Sequence, residues 1–478
     1  MKTQSKFSII LVVTLLLVGC SDSFLNVDSR GKIEEKDRNT TYAPKQFVTG
    51  VYGSFTTWDY AFAWLGVTEI ISDNADKGSV SSDTGVDKGR LDNFQFTSAS
   101  ISVAAMWNRW YKTIGRASYA IDYTRSFGLD DEAYKNRLIG ESKFLRALSY
   151  FYLVRYFGDV PIQSKDPAVR APKDSVYAHI ISDLKSAEES LPLKSEYAPE
   201  DLGRATKGAA QALLSKVYLQ RKNWSEALNY ANKVINSGEY DLEPNYEDIW
   251  KESHENGIES IFEIQARGKA PAHGVQQYSQ TQGVRGPGGW GWGFNVPSQN
   301  LIDTYNAEGD SIRKNATIIF PGETMWDGRQ ISSNIVNRGY NQKAYSSADL
   351  GAGDTDKNIR VLRYAEVLLI KAEAANELGN TQASLDALNE VRDRVNLPHV
   401  TTTDQTALRH AIWKERRLEL AFEHDRWFDL LRTGQAAEAI KNSGNAEAAA
   451  NFDEHYTLFP IPIEQLRKTP DMRQNPGY

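Results

Sequence analysis

Two stretches of this chain, about 132–236 and 360–432, repeat a pattern of paired amphipathic helices, and that repetition restricts the fold more than any other feature. In 132–157, Leu138, Phe144, Leu145, Leu148, Phe151, Tyr152 and Tyr156 recur at helical spacing, and the run ends at Gly158 with Pro161 beyond. Residues 174–191 carry Tyr177, Ile180, Ile181, Leu184, Ala187 and Leu191, stopped by Pro192. A second pair is predicted at 205–221 and 224–236, and a third at 360–378 and 381–395 with Leu368, Leu369, Ala372, Ala375, Ser384, Leu388 and Val391. One further helix is predicted over 404–432, and another at 101–126, where Met106, Trp107, Trp110, Tyr111 and Ile114 share a core-facing stripe.

In the second pair, Leu214, Tyr218, Trp224, Ala227, Ala231 and Val234 sit where a tetratricopeptide repeat places its packing residues. Small residues such as Ala212, Ser215 and Ala227 let the two helices approach closely. Residues 239–357 break the pattern with the strand-like run Glu259–Gln265, a Gly/Gln-rich stretch from Gly268 to Gly293, a short helix at 298–307 and short strands and loops beyond. The expectation is a mainly α protein: one domain over 44–478, with helical repeats and a loop- and short-strand-rich insertion that forms the ligand-binding half.

The N-terminus predicts export. Lys2 and Lys6 precede an apolar run from Phe7 to Val18, and Leu17-Val18-Gly19-Cys20 closes it. The run is shorter than the roughly 20 apolar residues of a spanning helix. Residues 1–19 thus read as a signal peptide. Cys20, the chain's one cysteine, reads as the lipidated residue of a bacterial lipoprotein, with palmitate-type acyl chains as the membrane tether. Residues 20–43 are polar and read as a linker, and Ser21-Asp22-Ser23 resembles a short acidic surface-export signal. Loss of Lys2 and Lys6 with the signal takes the formal charge from -7 to -9, a poor balance for binding nucleic acid or an anionic membrane surface. A single cysteine excludes a disulfide within the chain and a cysteine-based zinc site.

No constellation predicts catalysis, a metal or a cofactor. Gly286-Pro287-Gly288-Gly289-Trp290-Gly291 has the spacing of a dinucleotide fingerprint but neither follows an apolar strand nor opens an amphipathic helix. Glu415, Glu419 and Glu423 lie at four-residue spacing beside Arg416, Arg417 and Arg426, which reads as a structural ion-pair network. The ligand candidates are aromatic, and the 11 Trp, 23 Tyr and 18 Phe exceed what a core alone needs. In Trp290-Gly291-Trp292-Gly293-Phe294, an extended backbone would put three rings on one face, with glycines leaving room for a ligand. Flat rings suit the apolar C–H faces of sugars. A second cluster is Trp58, Tyr60, Trp64, Asp73 and Asn74.

Gly140-Glu141-Ser142-Lys143-Phe144-Leu145-Arg146-Ala147-Leu148, the run Phe151–Pro161, Gly203-Arg204-Ala205-Thr206-Lys207-Gly208-Ala209-Ala210, Leu362–Leu369, Trp413–Leu420, Arg426–Leu430, Leu458–Pro462 and Asn475–Tyr478 together resemble the RagB/SusD family over nearly the whole mature chain. The resemblance implies a lipid-anchored, surface-exposed protein of the Bacteroidota outer membrane, with four tetratricopeptide-like units under a variable ligand-binding half. It further implies a SusC-like TonB-dependent transporter as partner, to which such proteins hand polysaccharides or, in some members, peptides. A surface glycoside hydrolase working with two carboxylates is the catalytic alternative.

Overall fold

The computed structural model describes residues 43–163, 169–268, 277–347 and 355–478; Cys20 and the expected signal peptide, residues 1–19, lie outside them. Contacts divide the chain into Met1–Gln46 and Phe47–Tyr478, and the second unit carries the helical repeats, the insertion and both aromatic segments.

The helix Ile101–Ser126 packs on Glu132–Phe157, which packs in turn on Lys173–Ser190. Lys207–Gln220 pairs with Trp224–Ile235, and Tyr364–Glu377 pairs with Thr381–Arg394. The starts are written in the sequence: Asp131 accepts from the amide of Tyr134 at 2.9 Å, Thr206 from Ala209 at 3.0 Å and Asp404 from Ala407 at 2.8 Å. Gly158 ends the second helix at φ 68°. Ala209, Ala212, Ala227, Ala231, Ala372 and Ala375 are all buried at the helix contacts, and the Ser384 hydroxyl donates to the Ala372 carbonyl at 2.7 Å. The aromatic stripe of Ile101–Ser126 is core: Trp110 stacks on Tyr152 and Tyr156, with centroids 5.5 and 5.1 Å apart.

Two predicted helices differ from the structure. Ile359–Arg363 is a strand that pairs antiparallel with Ser260–Ile264, and the helix begins only at Tyr364. The run expected over 404–432 is two helices, Gln405–Glu419 and Arg426–Thr433. Between them Phe422 and His424 adopt φ 63° and 69°, a left-handed backbone that cannot continue a right-handed helix. Both side chains are buried, which offsets that cost. The short strands also reach beyond the insertion: Phe294–Pro297 pairs antiparallel with Ala75–Gly78, far upstream, with Gly78 opposite Phe294 and Ala75 opposite Pro297. Gly78 sits at φ 70°, and a Cβ there would lie 2.6 Å from a Val296 methyl, so glycine is required.

Glu415, Glu419 and Glu423 do sit in an ion-pair network, but not with the adjacent Arg416, Arg417 and Arg426, which turn to Asp429 and Asp73; their partners come from other elements. Arg363 reaches Glu259 at 2.7 Å, Glu419 at 2.6 Å and Glu423 at 2.6 Å. Arg313 pairs with Asp310, Glu415 and Glu419, and Arg394 pairs with Glu259 and Glu419. Glu419 has no exposed surface. Burial alone would raise its pKa, but Arg394, Arg363 and Arg313 outweigh that and hold it well below the usual carboxylate range.

Glu419→Gln leaves three arginines short of a counter-charge and is expected to cost about 3 kcal/mol or more in denaturant unfolding. Because the folded-state pKa is depressed, the carboxylate's contribution is full above the unfolded value of about 4.3 and is lost as pH falls. The variant's stability should therefore fall less steeply on acidification than the parent's.

Candidate aromatic binding surface

The sequence pattern groups Trp58, Tyr60 and Trp64 as one cluster, but segment 58–64 is helical and divides them. Trp58–Ala61 and Ala63–Leu65 are short helical turns. Residues four apart share a face and residues two apart do not. Trp58 accordingly pairs with Phe62 at 5.0 Å between centroids, and Tyr60 pairs with Trp64 at 5.1 Å. The first pair faces out, with Trp58 43% exposed and Phe62 half-buried; the second is fully inside. Trp64 stacks on the His424 ring at 3.7 Å. Burial pulls the pKa of His424 down to about 3, so its imidazole is neutral, hydrogen-bonded to Thr68 and Tyr278.

Asp73 and Asn74 are pins rather than free polar groups. The Arg426 guanidinium donates to both Asp73 carboxylate oxygens at 2.7 and 2.8 Å, and Arg417 donates to Asn74 Oδ1 at 2.8 Å. Burial would raise the Asp73 pKa, but Arg417 and Arg426 overcome it and hold the carboxyl at about 2. These contacts fix the segment before Ala75–Gly78 against the helices Gln405–Glu419 and Arg426–Thr433.

The rings of 290–294 do not share a face, because Gly293 at φ 75° turns the backbone out of an extended path. Trp290 is buried in a cluster with Val284, Ile319 and Met325, its centroid 5.0 Å from Tyr345 and the Arg329 guanidinium 4.6 Å above its ring. Phe294 is buried in its strand. Only Trp292 remains partly open. The glycines admit backbone, not ligand: a Cβ on Gly291 would lie 2.3 Å from the Gly283 Cα.

Phe62 joins the two segments. Its centroid lies 6.4 Å from Trp292 and 5.2 Å from Phe294, both edge-on. The result is an aromatic row of Trp58, Phe62 and Trp292 with polar groups around it. Trp58 Nε1 donates to Gln277 Oε1 at 2.9 Å, Arg109 Nε donates to the neighbouring Asp59 at 2.8 Å, and Lys88 Nζ sits 3.7 Å above the Phe62 ring. Burial pulls the Lys88 ammonium down to about 8 against the opposing pull of Asp87 and Asp59. Sequence reasoning missed Phe62, Gln277 and Lys88. Phe62 was legible as the residue four after Trp58; Gln277 and Lys88 carry no local signal.

The architecture defines a helical-repeat scaffold with a solvent-facing aromatic row. Residues 38–219 match a family model described as starch-binding associating with outer membrane, and residues 320–478 match the SusD family model. A SusD-like protein of Formosa agariphila is 32% identical over 99% of this chain and 100% of its own length. The starch-binding protein SusD of Bacteroides thetaiotaomicron is 26% identical over 80% of this chain and 81% of its own. A laminarin-binding SusD-like protein of known structure superimposes with a TM-score of 0.76 at 27% identity, covering 92% of this chain and 100% of that one. The chain belongs to the SusD/RagB family.

Trp64→Ala should lower the melting temperature sharply, since truncating a buried large aromatic removes roughly 3–5 kcal/mol of stability. Trp58→Ala, which removes an exposed ring, should leave it nearly unchanged. Differential scanning calorimetry of the two variants checks the division.

Proposed function

We propose that this protein is a non-catalytic, cell-surface glycan-capture protein. It stacks sugar rings on Trp58, Phe62 and Trp292, offers Gln277, Asp59 and Arg109 to their hydroxyls, and passes the chain to a SusC-like TonB-dependent transporter for uptake. Lipid on Cys20 holds it to the outer face of the outer membrane. The observation that carries this reading is the exposure of Trp58, 43% open, at the head of a row of rings assembled from two distant segments. One exposed ring is ordinary, whereas rings gathered on one open face mark a surface that can bind. The laminarin-binding relative, the starch-binding relative and the outer-membrane family description support the same direction. The clustered glutamates Glu415, Glu419 and Glu423 are engaged by arginine and lysine in the interior, which removes them as an acid/base pair.

Titration calorimetry with laminarin and malto-oligosaccharides should show binding to at least one, with no release of reducing ends. Trp58→Ala should weaken that binding nearly tenfold, equivalent to about 1 kcal/mol for a lost stacking ring. Unchanged affinity in both Trp58→Ala and Trp292→Ala would remove the aromatic row from the site.

Cys20→Ser should move the protein out of the outer-membrane fraction. Retention there with normal surface labelling would count against the lipid tether.

A further inference from the structure

A groove of about 1030 Å³ opens between the C-terminal end of Glu132–Phe157, the start of Lys173–Ser190, the end of Lys207–Gln220, the helix Arg426–Thr433 and residues 473–476. It shares no residue with the aromatic row and is at the upper end of the size of ligand sites. The protein is acidic, with a formal charge of -7, yet this groove is cationic. Arg155, Arg170, Lys173, Arg221, Lys222, Arg432 and Arg473 line it, against the carboxylates of Asp159, Asp174 and Glu454.

Three of those cations are already neutralised. Arg155 pairs with Asp425 at 2.9 Å, Arg432 with Glu373 and Asp429, and Arg221 with Asp174. The other four are different. Arg170 is fixed by neutral acceptors: its Nε donates to the Asp159 carbonyl at 2.7 Å, Nη1 to the Arg473 carbonyl at 2.9 Å, and Nη2 to the Phe157 carbonyl at 3.1 Å and to the Asn475 side-chain oxygen. Its fork is held in place while its charge has no carboxylate in contact among the described residues. The Asp159 carboxylate accepts instead from the Lys173 amide at 2.7 Å. Lys173, Lys222 and Arg473 are exposed at the rim and make no ion pair among the described residues.

We propose that this groove is a second carbohydrate site, selective for saccharides that carry carboxylate or sulfate groups. Arg170 supplies a fixed positive charge that no carboxylate contacts among the described residues, with one Nη1–H left to donate to an oxyanion. Lys173, Lys222 and Arg473 supply mobile cations for neighbouring charged residues of the same chain, and Gln220 and Thr457 supply partners for hydroxyls. The choice of a saccharide over another polyanion rests on the glycan-capture function proposed for the aromatic row.

The test uses the purified full chain and three probes of matched length: dextran, dextran sulfate and oligogalacturonate. At least one charged probe should bind tenfold or more tighter than dextran, with affinity falling as salt rises. The variant Lys173→Glu/Lys222→Glu/Arg473→Glu, confined to exposed side chains, should lose that binding at least tenfold at an unchanged melting temperature. A control variant that reverses three exposed cations elsewhere, Lys112→Glu/Arg125→Glu/Lys441→Glu, should keep it. Which charged probe binds identifies the anion. Equal binding of charged and neutral probes, no binding of either charged probe, or equal losses in both triple variants would overturn the proposal. Failure of the aromatic row instead appears as neutral-glycan binding that Trp58→Ala does not change, a separate result.

Discussion

The buried carboxylate of Glu419 is the point on which the rest of the molecule depends. Three arginines from three separate elements converge on it: Arg363 from the strand before Tyr364, Arg313 from the helix Ser311–Thr317 and Arg394 from the end of Thr381–Arg394. Through Arg363 and Arg394 it is coupled to Glu259, beside the partner strand Ser260–Ile264. One charge cluster thus ties a repeat pair, the two-stranded sheet and the insertion to the helix Gln405–Glu419. A buried ion cluster is costly to desolvate, and its value is in geometry: the charges are satisfied only when all these elements are in register. Hydrophobic packing sets that helices pair; the arginine cluster sets where the irregular insertion attaches to them.

The helical half was legible because its signals are local. Spacing, caps and small residues at contacts lie within one helix or its neighbour, and Glu132–Phe157 and Trp224–Ile235 follow directly from them. The two misread elements share a cause. Ile359–Arg363 runs unbroken into a helix, so an apolar pattern hid the change of period, and only its pairing with Ser260–Ile264, about a hundred residues earlier, makes it a strand. The break after Glu419 depends on Phe422 and His424 gaining burial in a left-handed backbone, which is a tertiary gain with no sequence marker.

The aromatic surface was half legible for a related reason. The rings were found, but their direction was not. Period four rather than two governs residues 58–64, which sends Tyr60 and Trp64 inward. Gly293 turns 290–294 so that Trp290 and Phe294 are anchors. Asp73 and Asn74 looked like ligand groups because Arg417 and Arg426, more than 340 residues away, are invisible to any local reading. What brings Trp58 and Trp292 to one surface is the pairing of Ala75–Gly78 with Phe294–Pro297, in which Gly78 admits the close approach.

The loop that carries Trp292 is held at both ends by buried rings, Trp290 in its own cluster and Phe294 in its strand. Between two fixed points, one side chain faces outward. Such a segment behaves like a socket: the holder is stable whatever the fitting, because neither anchor relies on the residue at 292. The residue at 292 can then be exchanged without loss of stability, so the chemistry displayed at this point of the surface can vary while the surrounding fold stays constant.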